Sequence, residues 1–122
     1  MIEVSITQEL LNDFLLNIRY EDFLELKAVF GDDYKNKFLE SCLKYEPETY
    51  FLLTDDFKPL AIGGASIVQN SNHALIWLLC TNELEKNKKE LFSYIKNKIA
   101  YFKKKFNVLY NFIYKSNFNS LK

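Results

Sequence analysis

Apolar and polar positions alternate along this chain with two periods, and the changes of period mark the elements. Ile2 to Ile6 is short, alternating and β-branched, which predicts a strand. Thr7 can cap a following helix, because its hydroxyl can accept a free N–H of the first turn. Leu10, Leu11, Phe14, Leu15 and Ile18 then recur at helical spacing. A second helix is predicted from about Tyr20 to Phe30, with Phe23, Leu26 and Phe30 inward and Gly31 as its stop. Asp32 can cap a third helix carrying Tyr34, Phe38, Cys42 and Leu43, and Pro47 closes that section.

The period then becomes two. Thr49 to Thr54 predicts a strand, Asp55 to Lys58 a turn, Pro59 to Val68 a second strand, Gln69 to Asn72 a polar turn and His73 to Cys80 a third strand. The spacings suggest an antiparallel meander. On the third strand Leu75, Trp77 and Leu79 face one way and Ala74, Ile76 and Leu78 the other, so both faces are apolar and a covered, central strand is expected. Asn87 is the expected start of a long helix, with Glu90 at capping-box spacing. Its buried stripe is Leu91, Ile95, Ile99, Phe102 and Phe106, and Lys88, Lys89, Lys96, Lys98, Lys103 and Lys104 occupy much of the rest. Val108 to Tyr114 returns as a strand, which implies a right-handed parallel crossover. Residues 1 to 122 read as one domain, without repeat, linker or low-complexity segment.

Composition narrows the class. Nearly half of the 122 residues are apolar, with 11 Phe and 8 Tyr, enough for one packed core. The 3 Gly and 2 Pro argue against a loop-rich or disordered chain. Charge cancels overall but not locally. Residues 1 to 60 hold 13 acidic and 6 basic side chains, residues 61 to 122 hold 3 and 10. An anionic ligand near the C-terminal half would fit that asymmetry, and so would halves that attract each other or face water. Cys42 and Cys80 are expected to be reduced thiols of an intracellular protein. No apolar run approaches the ~20 residues that cross a bilayer, and the acidic N-terminus MIEVSITQEL has no basic leader region.

The element order is strand, three helices, three antiparallel strands, helix, strand and the start of a further helix. That order resembles the GNAT-type N-acyltransferase superfamily, an α/β or α+β mixed-sheet, three-layer fold. Three segments carry a sharper resemblance to a phage branch of it, the podophage internal virion protein and related prophage acetyltransferases. They are NIRYEDFLEL, Asn17 to Leu26; WLLCT, Trp77 to Thr81; and YNFIYKSNFNSLK, Tyr110 to Lys122. The resemblance implies an acetyl-CoA-dependent N-acetyltransferase acting on a small-molecule or protein amine. In such chemistry the amine attacks the thioester directly, while the protein orients both reactants and a backbone N–H stabilises the oxyanion. It also implies a site. Backbone groups at Leu79, Cys80 and Thr81 would take the pantetheine arm, as would Asn117 of the Asn-x-x-Ser step ending at Ser120, and Lys86, Lys88 and Lys89 would supply charge to pyrophosphate.

Two departures set the alternative. The family's pyrophosphate loop is glycine-rich, so that N–H groups can approach phosphate at a helix N-terminus. Here Glu83 to Lys89 has no glycine and two acids. The family's tyrosine acid and last strands would fall beyond Lys122, so the fold is expected to be C-terminally incomplete. A partner subunit or further sequence is then expected to cover the edge beside Val108 to Tyr114. The alternative reading is therefore a non-catalytic GNAT-like phage or virion protein with structural or interaction duties, whose partners are further copies or virion proteins. Either reading places it in the bacterial host cytoplasm or the virion.

Other residues carry weaker chemistry. His73 could serve as a general base, but a turn-to-strand junction favours a solvated residue. One His and two distant Cys make no metal set. Cys80 has no visible base to make it a nucleophile. Gly63 and Gly64 interrupt a strand, as a bulge, as close packing or as room for a substrate. The lysine-rich helix could track nucleic-acid phosphates. Its Phe and Tyr fall mainly on the core stripe, however, and no groove-reading motif is present, so nucleic acid is not the expected partner.

Overall fold

A computed structural model describes residues 1–44, 48–68 and 70–111. It has strand β1 (Ile2–Val4), helices α1 (Gln8–Leu16), α2 (Tyr20–Phe30) and α3 (Tyr34–Lys44), strands β2 (Thr49–Leu53), β3 (Pro59–Ile67) and β4 (His73–Cys80), helix α4 (Leu84–Lys105) and strand β5 (Val108–Asn111). The fold is α+β, with one mixed five-stranded sheet in the order β1-β2-β3-β4-β5. The first four strands are antiparallel in sequence order. β5 runs parallel to β4 and is reached through α4. The C-terminal helix start expected at Asn117 lies outside the described residues, as does the expected continuation of β5 to Tyr114.

Helices cover both sheet faces. Leu11, Phe14, Leu26, Phe38 and Cys42 from α1, α2 and α3 pack on Phe51, Leu53, Ile62 and Leu79. Leu84, Leu91, Phe102 and Phe106 from the α4 side pack on Leu52, Leu60, Ala65, Ala74 and Cys80. β4 alternates as its sequence predicts: Trp77 and Leu79 face α1–α3, while Ile76 and Leu78 face α4. Edge-on aromatic contacts tie the layers, with Phe14 and Phe51 5.9 Å apart and Phe38 and Trp77 5.9 Å apart between ring centres.

Local chemistry sets most boundaries. The Thr7 hydroxyl accepts from the Leu10 N–H at 3.2 Å and opens α1. α1 ends at Leu16, two residues short of the expected stripe, and Ile18 leaves the helix to bridge Thr81. Gly31, at φ 77°, ends α2. Asp32 does not cap α3, because residues 31–33 form a 3-10 turn before the helix. A short helical turn opens at Leu84, and the regular helix runs on from Asn87 as expected: Asn87 stands at a kink with non-helical φ −130° and donates its side-chain amide to the Glu83 carbonyl at 2.8 Å. Lys98, expected on the solvated face of that helix, instead lies over the rings of Tyr50, Tyr94 and Tyr101 and pairs with Glu3 at 3.3 Å.

Gly63 and Gly64 are not a bulge, since both pair in register with β2 and β4. The irregularity is at Leu52 and Leu53, opposite Pro59. The glycines permit close packing: a Cβ at 63 would stand 2.8 Å from the Trp77 carbonyl oxygen, and one at 64 would overlap the Glu48 carbonyl oxygen. Gly64→Ala is therefore expected to cost about 1–3 kcal/mol by forced displacement of backbone. Gly31→Ala, with open space around it, should cost a similar ~1–3 kcal/mol from its positive φ alone. Urea midpoints of the two variants check both values. A Gly64→Ala protein as stable as wild type would mean that β2 is not held this close to β3.

Candidate functional site at the end of strand β4

The C-terminal end of β4 is where Leu79, Cys80 and Thr81 meet the junction of α1 and α2. Thr81 N–H donates to the Leu60 carbonyl at 2.9 Å, so Thr81 turns its backbone toward β3. By strand alternation, Cys80 and Leu78 turn theirs to the opposite edge, the β5 side. β5 pairs there only as far as Ile76 opposite Asn111 among the described residues.

That edge is filled at Cys80 by the α1–α2 linker. Arg19 N–H donates to the Cys80 carbonyl at 3.0 Å, and Asn82 N–H donates to the Asn17 carbonyl at 3.3 Å. Ile18 bridges Thr81 in antiparallel sense. Residues 17–19 thus pair with the end of β4 through a single antiparallel bridge. The Cys80 N–H donates to Asp22 Oδ2 at 2.8 Å. Asp22 also accepts from Arg19 Nε at 3.0 Å and from Arg19 Nη2 at 3.2 Å. Asp22 is 1% exposed, so this carboxylate is buried with three donors aimed at it. Burial works to lower the Arg19 pKa, and the hydrogen bond and charge of Asp22 outweigh it, leaving the guanidinium above its ordinary value.

The side chains of the three β4-end residues are spent as well. Leu79 belongs to the core under α1–α3 and Cys80 to the core under α4. The Thr81 hydroxyl is buried, donates to the Pro59 carbonyl at 2.7 Å and accepts from the Glu83 N–H at 3.2 Å, which shapes the turn into α4. Burial pushes both thiols up to about 12, so neither Cys42 nor Cys80 is a ready nucleophile.

The lysines stand apart from this centre. Lys86 and Lys88 lie exposed on the first turns of α4, and Lys88 pairs with Glu85 at 3.1 Å. Lys89 borders an open depression with Met1, Glu90 and Tyr94. Glu85 lies in the first turn of α4 and Glu83 stands at its cap, so the positive end of the helix already has carboxylates beside it. His73 starts β4, seven residues from Cys80 or roughly 23 Å along a strand, and so is remote from this centre. Asn117 and Ser120 lie outside the described residues. Two small apolar cavities flank β4: about 160 Å³ beside Leu26, Phe38, Trp77 and Leu79, and about 120 Å³ beside Tyr50, Gly64, Ile95 and Phe102. Both are below the ~300 Å³ at which ligand pockets usually begin. Among the described residues no His, Cys, Asp and Glu group could hold a metal, and no helix is long and apolar enough to cross a membrane.

Sequence reasoning brought Leu79, Cys80 and Thr81 together and missed Arg19 and Asp22. The Arg-x-x-Asp spacing inside NIRYED was the available signal. No family model matches the chain, and neither a curated protein nor a solved structure matches it.

Two outcomes test this geometry. Arg19→Met strands a buried carboxylate and should cost about 3–5 kcal/mol, while Arg19→Met with Asp22→Leu should cost well less than the sum of the single changes. An Arg19→Met cost below about 0.5 kcal/mol would mark the pair as an ordinary surface contact. The thiols set a pH window. Their folded values lie above the ordinary 9.0, so the folded state keeps protons that the unfolded state sheds. Stability should hold below pH 9 and fall as pH rises toward about 12, and Cys42→Ala should flatten part of that fall in urea melts.

Proposed function

We propose that the chain is a GNAT-like scaffold of the phage or prophage kind that works by interaction rather than by acyl transfer. One observation carries the reading. The backbone edge at Cys80, which the resemblance would give to the pantetheine arm, is already hydrogen-bonded on both its N–H and its carbonyl by Asp22 and Arg19. An oxyanion or thioester carbonyl brought to the Cys80 N–H would have to displace a buried carboxylate and would then sit beside a like charge. Glu83 and Glu85 at the start of α4 weigh in the same direction, because they add negative charge to the end of the helix that a pyrophosphate would approach.

The second reading, an acetyl-CoA-dependent N-acetyltransferase, is favoured by a different observation. The described elements run strand, three helices, three strands, helix and strand, and that order supports it. The Leu78 backbone, on the same edge as Cys80, lies past the last described β4–β5 pair. It could take a thioester carbonyl if the linker swung aside.

Calorimetric titration of acetyl-CoA and of CoA separates the two. The scaffold reading expects no saturable binding up to about 1 mM, equivalent to less than about 4 kcal/mol of affinity. Micromolar binding that weakens in Lys86→Glu and Lys88→Glu would instead favour the acyltransferase reading, and acetyl transfer to an added amine would then establish it.

A further inference from the structure

We propose that the outer face of α4 docks on the phosphate backbone of duplex DNA. The inference does not depend on whether the β4 edge admits CoA, because it concerns the opposite side of α4 from the sheet. α4 spans 22 residues and carries eight lysines against Glu85 and Glu90. Three of those lysines are engaged: Lys88 with Glu85, Lys98 with Glu3 and Lys105 with Glu48. Glu90 is 3.5 Å from the N-terminal amine. Lys86, Lys89, Lys96, Lys103 and Lys104 have no ion pair among the described residues and are all exposed.

Their arrangement is regular. Lys89, Lys96 and Lys103 recur every seven residues, so they lie along one line of the helix and span roughly 21 Å at ~1.5 Å per residue. Ser93 and Ala100 lie beside the row, exposed and short, while half-exposed Phe92 stands between Lys89 and Lys96. Like charges in a row repel, and a partner of opposite charge removes that cost.

The chemistry chooses among polyanions. The apolar side of α4 is buried on the sheet through Leu91, Phe102 and Phe106, so the helix cannot lay an apolar face into a bilayer surface. The row is lysine without arginine, which gives point charges rather than bidentate forks and so favours contact with phosphate over reading of bases. Half-exposed Phe92 could stack on one unpaired base, but a row of lysines matches the regular phosphates of a duplex, and the comparison with single strands separates the two. Duplex DNA offers a dense and regular row, one charge per ~1.7 Å of axis.

Fluorescence anisotropy with a labelled mixed-sequence duplex tests the proposal, using two variants of equal charge change. Lys96→Glu with Lys103→Glu reverses the row, and Lys35→Glu with Lys37→Glu reverses two exposed lysines of α3. Circular dichroism verifies that both fold. The wild type should bind with an affinity that falls steeply with salt, with a log–log slope of about −3 to −4. The α4 variant should lose at least about tenfold in affinity and about 1.8 of that slope, from two phosphate contacts at ~0.9 each. The α3 variant should stay within about threefold of wild type. Equal losses in both variants, no binding at low salt, or tighter binding to single strands than to duplex would overturn the proposal. So would binding only to phosphatidylserine vesicles or only to polyglutamate.

Discussion

The buried carboxylate of Asp22 is the constraint on which the rest of this structure depends. It collects the Arg19 guanidinium and the Cys80 N–H, so one side chain joins the start of α2, the linker before it and the end of β4. A carboxylate so deeply buried is tolerable only when its lone pairs are filled, and filling them fixes the linker on the strand edge. That edge lies past the end of β5 among the described residues, where an unpaired N–H and carbonyl would otherwise stand. The pair therefore does two jobs at once. It closes the sheet locally, and it removes from ligand reach the backbone groups that a cofactor arm would need.

From that closure follows the balance of the functional reading. The α1–α3 face and the α4 face are separately packed, and the cavities left beside β4 are small. Chemistry at the β4 end is exhausted by structure: a buried thiol held up to about 12, a hydroxyl with both donor and acceptor roles used, and a leucine in the core. Among the described residues, five exposed lysines without an ion pair lie along α4. That distribution among the described residues is what supports the proposed scaffold reading, and fold alone carries no function.

Much of the fold was legible in the residue pattern, because local sequence determines which side of an element is apolar. His73 to Cys80 was bounded correctly, since alternating apolar side chains between a polar turn and Thr81 leave few other readings. Tyr20 to Phe30 was bounded by Gly31, whose positive φ ends the helix. The errors share a different cause. Ile18 fits the helical stripe of α1 but is drawn out to pair with Thr81, and Lys98 fits a solvated face but is drawn in by three tyrosines and Glu3. The Asp22–Cys80 bond joins residues 58 apart in sequence, so nothing local announces that the Cys80 N–H needs a buried acceptor. The same holds for Gly63 and Gly64, whose role depends on Tyr50, Trp77 and Glu48 across neighbouring strands.

The most direct test of the linker's hold on β4 is native-state hydrogen exchange, followed residue by residue by NMR. Cys80 N–H and Arg19 N–H should exchange only through global unfolding, with the same protection as the amides of central strand β3. If these two amides exchange through local opening, with protection no greater than that of Phe57 in the exposed β2–β3 turn, the linker is not fixed. The β4 edge would then be open to a ligand, which contradicts its closure by Asp22 and Arg19.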